Sequence, residues 1–156
     1  MTLRNKFLKT LAAAGLIGIA AFSVNADDLR NVKRGETVPA CKLPAIDGSV
    51  VDSDSLRGSV VVFVCLSAEQ QRSELAAAES QQVVRPLQAD GVRLIHVTAD
   101  VVQKAYFEKY RQEHSIDATL LFDADRAVYG KPGLITFPTT AIAHHEGKLQ
   151  RANPPH

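Results

Sequence analysis

Three patterns in the sequence predict a single α/β domain with a central mixed sheet, flanking helices and a closing β-hairpin. The run over 60–66 is apolar and rich in β-branched residues without polar alternation, which is typical of a strand buried on both faces. Strand-like and helix-like segments alternate after it, and this alternation implies parallel crossovers covered by helices. Two last strand-like segments, 139–143 and 148–150, flank a turn and indicate an antiparallel hairpin.

The first 26 residues have the composition of a secretory signal peptide. Arg4, Lys6 and Lys9 precede an uncharged apolar run over 11–24, and Val24-Asn25-Ala26 supplies a small-x-small cleavage pattern. A retained membrane anchor is the alternative, but crossing a bilayer takes about 20 apolar residues, more than this run contains. We therefore expect a cleaved signal peptide over 1–26 and export, to the periplasm or beyond the cell, with no membrane contact afterwards.

Removal of this segment takes away three cations and no acidic residue, which changes the formal net charge from +1 to −2. A weakly acidic chain argues against nucleic acid or an anionic membrane surface as a partner. The 156 residues, 46% of them hydrophobic, suffice for one buried core. We expect a polar, loose lead-in over 27–36, one domain over 37–151 and a tail over 152–156.

The first helix is expected directly after the buried strand. Ser67 is a candidate N-cap, and Gln70 three residues later completes a capping box. The helix should extend to about 88, bent or ended by Pro86 and stopped by Gly91. Its apolar stripe is predicted at Leu75, Ala78, Val83 and Leu87.

Turn and cap residues place the remaining elements. Asp47-Gly48 indicates a short hairpin early in the domain. Asp100 is expected to cap a second helix, between strands predicted over 92–97 and 120–122. The residues of that helix at apolar spacing are Val102, Ala105, Tyr106 and Tyr110.

Five phrases, in the right order, resemble the redoxin group, which comprises periplasmic TlpA-type thioredoxins and the related alkyl hydroperoxide reductase and thiol-specific antioxidant (AhpC/TSA) proteins. They are Val38-Pro39-Ala40-Cys41-Lys42-Leu43-Pro44, Asp47-Gly48 with Leu56-Arg57-Gly58-Ser59-Val60-Val61, Asp123-Ala124-Asp125-Arg126-Ala127-Val128-Tyr129-Gly130, Phe137-Pro138-Thr139-Thr140 and Glu146-Gly147-Lys148-Leu149. The resemblance covers 35–151. It implies a thioredoxin-like fold, with thiol-based redox chemistry as the group's usual activity.

The resemblance fails at the redox motif. In the family, the buried strand ends in a Cys-x-x-Cys at the tip of the following helix. With Glu74 as the anchor, the attacking cysteine corresponds to Ala68 and the resolving one to Gln71, and an alignment to the peroxiredoxins again puts the reactive position on Gln71. Thiol–disulfide exchange needs a thiolate. We therefore expect a degenerate active site in a non-catalytic module that binds a peptide or protein partner.

Cys41 and Cys65 are the only cysteines, and they leave three alternatives open. Strand alternation puts Cys65 with Phe63 on one covered face of its strand, which favours a structural core cysteine. An exported chain meets oxidising conditions, in which the pair can form a disulfide. A reactive Cys65, with Cys41 as its resolving partner, would make the protein an unconventional thiol-disulfide oxidoreductase or peroxidase.

Pro138 is a family position that the chain retains. In the resembling proteins this proline is cis, and the backbone before it faces the helix tip and pairs with bound peptide. A cis Phe137–Pro138 bond would leave a peptide-binding ledge, for which the candidates are Ala68, Gln71, Phe137 and Pro138. In the alternative interpretation, Pro138 only shapes the core.

Metal binding of the kind found in Sco-type copper proteins, which share this fold, is a further alternative. Their Cys-x-x-x-Cys motif is absent here. His144 and His145 fall in a solvated hairpin turn, where adjacent side chains are expected to diverge, and His96 inside a strand reads as a core histidine. We expect no metal site and no cofactor.

The C-terminus departs from the family pattern, because family members usually follow the closing hairpin with a helix that covers one sheet face. After the last predicted strand, Pro154 and Pro155 exclude a helix. The C-terminal helix is therefore expected to be missing. An uncovered apolar face marks a partner surface or a self-association surface, so a homo-oligomer is also expected.

Overall fold

A computed structural model describes residues 29–134 and 136–153 of the chain. Its strands are β1 (Lys42–Pro44), β2 (Val50–Asp52), β3 (Val61–Leu66), β4 (Arg93–Thr98), β5 (Thr119–Phe122), β6 (Thr139–Ala143) and β7 (Leu149–Asn153). Its α-helices are α1 (Gln71–Val84), α2 (Lys104–Glu113) and α3 (Ala127–Gly130), and 3₁₀ helices occupy Ser53–Leu56, Arg85–Asp90 and Val101–Gln103. The signal peptide predicted over 1–26 lies outside the described residues. Within the described ranges, no helix has the length and apolarity needed to span a bilayer.

Five strands form one mixed sheet in the order β5-β4-β3-β6-β7. Strand β3 runs parallel to β4, and β4 runs parallel to β5, with α1 and α2 in the two crossovers. Strand β6 pairs antiparallel with β3, and β7 pairs antiparallel with β6. The short hairpin β1–β2 pairs around the Asp47-Gly48 turn. The predicted α/β class, the mixed sheet and both hairpins are therefore confirmed.

Strand β3 is covered on both faces, as its continuous apolar run predicted. Val61 and Cys65 belong to the core that also receives the β1–β2 hairpin. Val64 and Leu66 belong to the core beneath α1 and α2. The side chain of Cys65 thus points away from the two long helices.

Helix α1 buries a different face from the predicted one. The exposed fractions are 54% for Leu75, 65% for Val83 and 42% for Leu87. The buried residues are Ser73, Ala77, Gln81 and Val84. Gln81 is tolerated in the interior because its amide donates to Asp117 Oδ1 and accepts the backbone N–H groups of Asp117 and Ala118. The stripe prediction was wrong because it assumed that the polar side chains of this helix face solvent.

The helix ends as the sequence predicted. Helix α1 stops at Val84, and the following 3₁₀ helix has Pro86 in its first turn. Gly91 terminates that 3₁₀ helix with φ of 84°, a left-handed conformation that favours glycine.

The second helix begins later than predicted. Val101–Gln103 forms a 3₁₀ helix, and α2 starts only at Lys104. Asp100 makes no capping hydrogen bond to this segment. Val102 is 89% exposed, and Phe107 supplies the buried contact of α2. Asp100 is not available as a cap because it accepts hydrogen bonds from the turn before α1.

The segment before β1 is part of the core, which corrects the prediction of a loose lead-in. Leu29 and Val32 are buried. The backbone N–H of Gly35 donates to the carbonyl of Leu149 at 2.7 Å, so the segment is tied to β7. At the other end of the domain, β7 continues to Asn153 and includes two residues that were assigned to the tail.

Among the described residues, no helix follows β7. On the α1 side of the sheet, Thr140 and Ile142 of β6 are half-buried, and their partners Asn153 and Arg151 in β7 are exposed. This strip mixes polar and apolar side chains, so it is not an extended apolar patch. Self-association through it stays a prediction.

Candidate functional site

The turn between β3 and α1 holds position 68, where the resemblance places the attacking cysteine. Ala68 donates its backbone N–H to Asp100 Oδ2 at 2.7 Å, and Ser67 Oγ donates to the same oxygen at 3.1 Å. Asp100 follows β4, the parallel neighbour of β3, so the carboxyl ends of two strands meet here. A carboxylate with two donors on one oxygen therefore lies directly beside position 68.

Helix α1 begins at Gln71, after this turn. Ser67 is not its N-cap, because the Ser67 hydroxyl is engaged elsewhere and its backbone N–H donates to Ser73 Oγ at 3.0 Å. Glu69 has φ of 56°, which takes the chain out of helical geometry before the first helical residue. The capping box predicted with Gln70 is therefore wrong, and the family's cysteine position precedes the helix.

Two tyrosines of α2 brace the start of α1. Tyr106 Oη donates to Glu74 Oε1 at 2.5 Å, and Tyr110 Oη donates to the backbone carbonyl of Glu74 at 2.6 Å. Burial, with the hydrogen bond to Glu74, raises the pKa of Tyr106, so this phenol remains a donor at neutral pH. Gln71, one of the predicted peptide-binding residues, lines the groove between the two helices.

The Phe137–Pro138 peptide bond is cis, as predicted. The ring of Phe137 packs edge-on against Tyr129, with centroids 5.1 Å apart. Tyr129 Oη lies 2.8 Å from the carbonyl of Val97 and 3.3 Å from that of Leu66, at the ends of β4 and β3. Tyr129 thereby fixes the Phe137 ring beside the turn that precedes α1.

A cavity of about 330 Å³, here called the tip cavity, opens between this turn and the aromatic pair. It is lined by Leu66, Ser67, Ala99, Asp100, Arg126, Tyr129, Leu134 and Phe137. Five of its eight lining residues are apolar or aromatic, and the exposed wall is divided about equally between polar and apolar surface. Asp100 and Arg126 supply its two charges, which are of opposite sign.

The predicted peptide-binding residues fall in different places. Phe137 lines the tip cavity, and Ala68 is attached to its wall through the hydrogen bond to Asp100. Pro138 is half-buried next to Phe137, whereas Gln71 lies in the groove between the helices. The structure thus joins positions 68 and 137 and leaves position 71 outside the cavity.

Sequence reasoning missed Asp100, Arg126 and Tyr129 as site residues. Asp100 had a recognisable signal, because ligands of α/β sheets bind beyond the carboxyl ends of the strands and Asp100 lies two residues after the end of β4. Arg126 had none, since its approach to the cavity depends on a left-handed backbone with φ of 54° before α3. Tyr129 depends in the same way on how α3 packs under the sheet.

A family model for AhpC/TSA proteins matches residues 34–152. The chain belongs to the AhpC/TSA family. No curated protein shows a significant sequence match to it.

Solved structures of proteins described as thiol-disulfide oxidoreductases and as a peroxidoxin share its fold. A protein assigned as the thiol:disulfide interchange protein DsbE of Chlorobium tepidum superposes with a TM-score of 0.71 at 20% identity, covering 79% of this chain and 86% of that one. The thioredoxin domain of a thiol-disulfide oxidoreductase from Bacteroides vulgatus gives 0.70 at 16%, covering 80% and 91%. The peroxidoxin BcpB of Mycobacterium tuberculosis gives 0.67 at 19%, covering 79% and 86%. The thioredoxin-like fold predicted from the sequence is confirmed.

In this AhpC/TSA member, none of the described residues that line the tip cavity is a cysteine. The two hydroxyl groups are committed to hydrogen bonds, Ser67 to Asp100 and Tyr129 to backbone carbonyls. None of the described lining residues is a histidine or lysine that could activate either hydroxyl as a nucleophile. The described walls can bind and orient a ligand, and they offer no group for thiol exchange.

Cys41 and Cys65 line a second cavity, of about 40 Å³, which we call the cysteine cavity. Both thiols are free, and Cys65 is only 1% exposed. Burial, and then the nearby Asp123 carboxylate, raises the pKa of Cys65, and burial also raises the pKa of Cys41. Both environments disfavour the thiolate. The geometry fits the interpretation of Cys65 as a core cysteine.

The histidines are placed largely as predicted. His96 is buried, lies 3.1 Å from Ser80 Oγ and has its pKa lowered by burial to about 3. The rings of His144 and His145 lie 3.6 Å apart, contrary to the expected divergence, because the two residues leave β6 and enter a turn. Over 29–134 and 136–153, no three His, Cys, Asp or Glu side chains gather as metal ligands would.

Proposed function

We propose that the protein is an exported AhpC/TSA-family module that binds an extended segment of a peptide or protein partner at the tip cavity, without thiol–disulfide catalysis. The observation that carries this proposal is the Asp100 carboxylate beside Ala68, at the family's attacking-cysteine position. Export rests on the signal-peptide pattern over 1–26. A structural relative from Mycobacterium tuberculosis, with a TM-score of 0.64, is described as a secreted disulfide oxidoreductase.

The electrostatics of the turn support the loss of thiol chemistry. A reactive cysteine needs a lowered pKa, which a helix N-terminus or a nearby cation provides. Here α1 starts only at Gln71, and the nearest charged partner of the Ala68 backbone is the negatively charged Asp100. A thiolate at position 68 would therefore be disfavoured by like-charge repulsion. The turn departs from a redox site in its charge as well as in its residue types.

The backbone of Phe137 supports the binding role. Within the described residues, neither the N–H nor the carbonyl of Phe137 has a hydrogen-bond partner, whereas the carbonyl of Thr136 accepts from Thr139 Oγ1 at 2.7 Å. Phe137 is half-buried, and these two groups are available to pair with the backbone of a ligand. An extended segment that lies beside Phe137 supplies both partners, as an added strand does, and directs a side chain toward the tip cavity.

A titration of the ¹⁵N-labelled mature chain with extended heptapeptides tests the binding role. We expect amide shifts confined to the neighbourhood of the tip cavity. Ala99→Phe fills the cavity with an aromatic ring and should weaken binding at least about tenfold, because buried side chains dominate interface energy. Glu79→Gln, on the exposed surface of α1, is the control and should leave binding unchanged. Absence of binding, or equal affinity for Ala99→Phe, would contradict the proposal.

Thiol chemistry by Cys65, with Cys41 as resolving partner, is the second candidate function. Both cysteines line one cavity, which favours it, and two relatives by fold are described as a thiol-disulfide oxidoreductase and a peroxidoxin. Alkylation of the native protein with iodoacetamide separates the two functions. The thiol candidate requires Cys65 to be labelled in the folded protein, whereas the binding module requires Cys65 to stay protected until urea unfolds the chain. Cys41, which is half-buried, serves as the internal comparison. No observation favours Sco-like metal binding, and we do not propose it.

A further inference from the structure

Asp100 and Arg126 face the same tip cavity without forming an ion pair. Among the described residues, no salt bridge with N···O of 4.0 Å or less involves either side chain. Two opposite charges on flexible side chains pair when they can reach one another, since each gains Coulomb energy in a partly desolvated site. The cavity therefore presents two opposite charges that are not paired with each other and that a ligand can contact.

The Asp100 carboxylate has a free oxygen. Its Oδ2 atom already accepts from Ser67 Oγ and from the backbone N–H of Ala68. The backbone N–H of Asp100 donates to Thr98 Oγ1 at 3.1 Å, which fixes the backbone at this point. Among the described residues, Oδ1 has no hydrogen-bond partner, and both donors on Oδ2 are neutral. The carboxylate is therefore not paired with a cation of the described residues, and its Oδ1 atom can accept from a cationic group.

Arg126 is held at the rim of the cavity by its backbone. The residue is left-handed, its N–H donates to the carbonyl of Asp123 at 3.1 Å, and its carbonyl accepts from Gly130 N at 2.6 Å. These contacts position the Cα atom while the exposed guanidinium stays free to turn toward a ligand. A guanidinium recognises a carboxylate with two parallel hydrogen bonds.

Apolar side chains line the same cavity. Leu66 and Leu134 are buried, and Ala99 and the ring of Phe137 are half-buried. They can accept an aliphatic or aromatic side chain of a ligand, because its burial removes apolar area from water. The cavity thus combines apolar contacts with one anionic and one cationic side chain.

We propose that the partner segment carries a single apolar residue flanked by a basic group on one side and an acidic group on the other. The apolar side chain enters the tip cavity, the basic group donates to Asp100 Oδ1, and the acidic group accepts from Arg126. This inference rests on the proposed function, because it names the chemistry of the segment that binds there.

Peptides with matched lengths test the charge pattern. Four N-acetylated, amidated heptapeptides share a central leucine, flanked by lysine and glutamate in either order, by two glutamines, or by two glutamates. We expect the better lysine–glutamate order to bind about tenfold more tightly than the glutamine peptide, and the glutamate pair to bind no better than it.

Double-mutant cycles between protein and peptide test whether Asp100 and Arg126 contact the peptide charges. Asp100→Asn keeps an acceptor for the Ala68 N–H but removes the negative charge, and Arg126→Asn removes the cation at a position where asparagine tolerates the left-handed backbone. Asp100→Asn and Arg126→Asn should each remove about threefold of the tenfold advantage of the better lysine–glutamate peptide over the glutamine peptide. The exposed controls Arg72→Gln and Glu79→Gln should leave this advantage unchanged.

Two outcomes would overturn the inference, and they are distinguishable. If all four peptides bind with similar affinity, or if the cycles show no coupling, the charge pattern is wrong while the binding role stands. If no heptapeptide of any pattern binds, the proposed function fails together with the inference.

Discussion

The hydrogen bonds to Asp100 give the account a direct stability test. Asp100→Ala removes the acceptor of two donors, Ser67 Oγ at 3.1 Å and the backbone N–H of Ala68 at 2.7 Å. A hydrogen bond to a charged group contributes about 1.5 to 3 kcal/mol. Because Asp100 is half-buried, water partly replaces the lost acceptor, so we expect a total loss of about 2 to 3 kcal/mol. Asp100→Asn retains an amide oxygen and should cost about 1 kcal/mol.

Urea unfolding at pH 7 measures these differences, with unchanged slopes required for a valid comparison. Asp90→Ala, an exposed carboxylate at the end of a 3₁₀ helix, is the matched control and should change stability by less than about 0.5 kcal/mol. Hydrogen exchange of the Ala68 amide should accelerate in Asp100→Ala and not in the control. If Asp100→Ala proves as stable as Asp90→Ala, the carboxylate does not hold the turn.

Three further predictions concern buried groups. Burial lowers the pKa of His96 from 6.5 to about 3, so the unfolded chain takes up a proton first as pH falls, and stability falls by about 1.4 kcal/mol per pH unit below 6.5. Between pH 7 and 5, wild type should therefore lose about 2 kcal/mol more than His96→Gln, as measured by urea unfolding. Gln81→Ala should cost about 2 to 4 kcal/mol because it leaves buried backbone donors unsatisfied, whereas the exposed Gln82→Ala should be nearly neutral in the same assay. Val84→Ala should lower the melting temperature through loss of about 2 kcal/mol, whereas Val83→Ala should leave it unchanged because Val83 is exposed.

Much of the fold could be predicted because local patterns decide it. The unbroken apolar run of β3 has only one suitable place in an α/β domain, the middle of the sheet. Asp47-Gly48 specifies a turn through the left-handed conformation of its glycine, which has φ of 86°. These features depend on neighbouring residues and only weakly on distant parts of the chain.

The buried face of α1 could not be predicted, because it depends on distant partners. Gln81 is interior only because Asp117 and Ala118, more than 30 residues later, satisfy its amide. Ser73 is interior because its hydroxyl accepts from Ser67 N–H. A periodicity argument assigns such residues to solvent and therefore rotates the helix onto its wrong face.

The candidate site could be predicted only in part, because contacts between distant parts of the chain bring some of its residues together. The resemblance predicts an attacking-cysteine position at 68 and a cis proline at 138, since both lie in sequence landmarks, and the Phe137–Pro138 bond is cis. The resemblance could not show that Asp100 accepts from the Ala68 N–H instead of capping a helix, because that contact joins the ends of two strands. The position of the Arg126 charge could not be predicted from the sequence, because it depends on the left-handed backbone before α3.

The presence of two cysteines is not sufficient to predict thiol redox activity. A pair of thiols in a chain of this family suggests redox activity, and both do line one cavity. Yet the same apolar surroundings that bring them together raise the pKa of Cys65 and keep it from substrate. A thiolate is thus disfavoured both at position 68, where the resemblance places the attacking cysteine, and at Cys65.

Turnover by the mature chain tests the central claim most directly. Dithiothreitol-coupled insulin reduction and hydrogen peroxide consumption should both proceed at the buffer rate, and Cys65→Ser and Cys41→Ser should give the same rate as wild type. The account is contradicted by a wild-type rate well above buffer that Cys65→Ser abolishes, because the buried thiol would then be the nucleophile that the tip lacks.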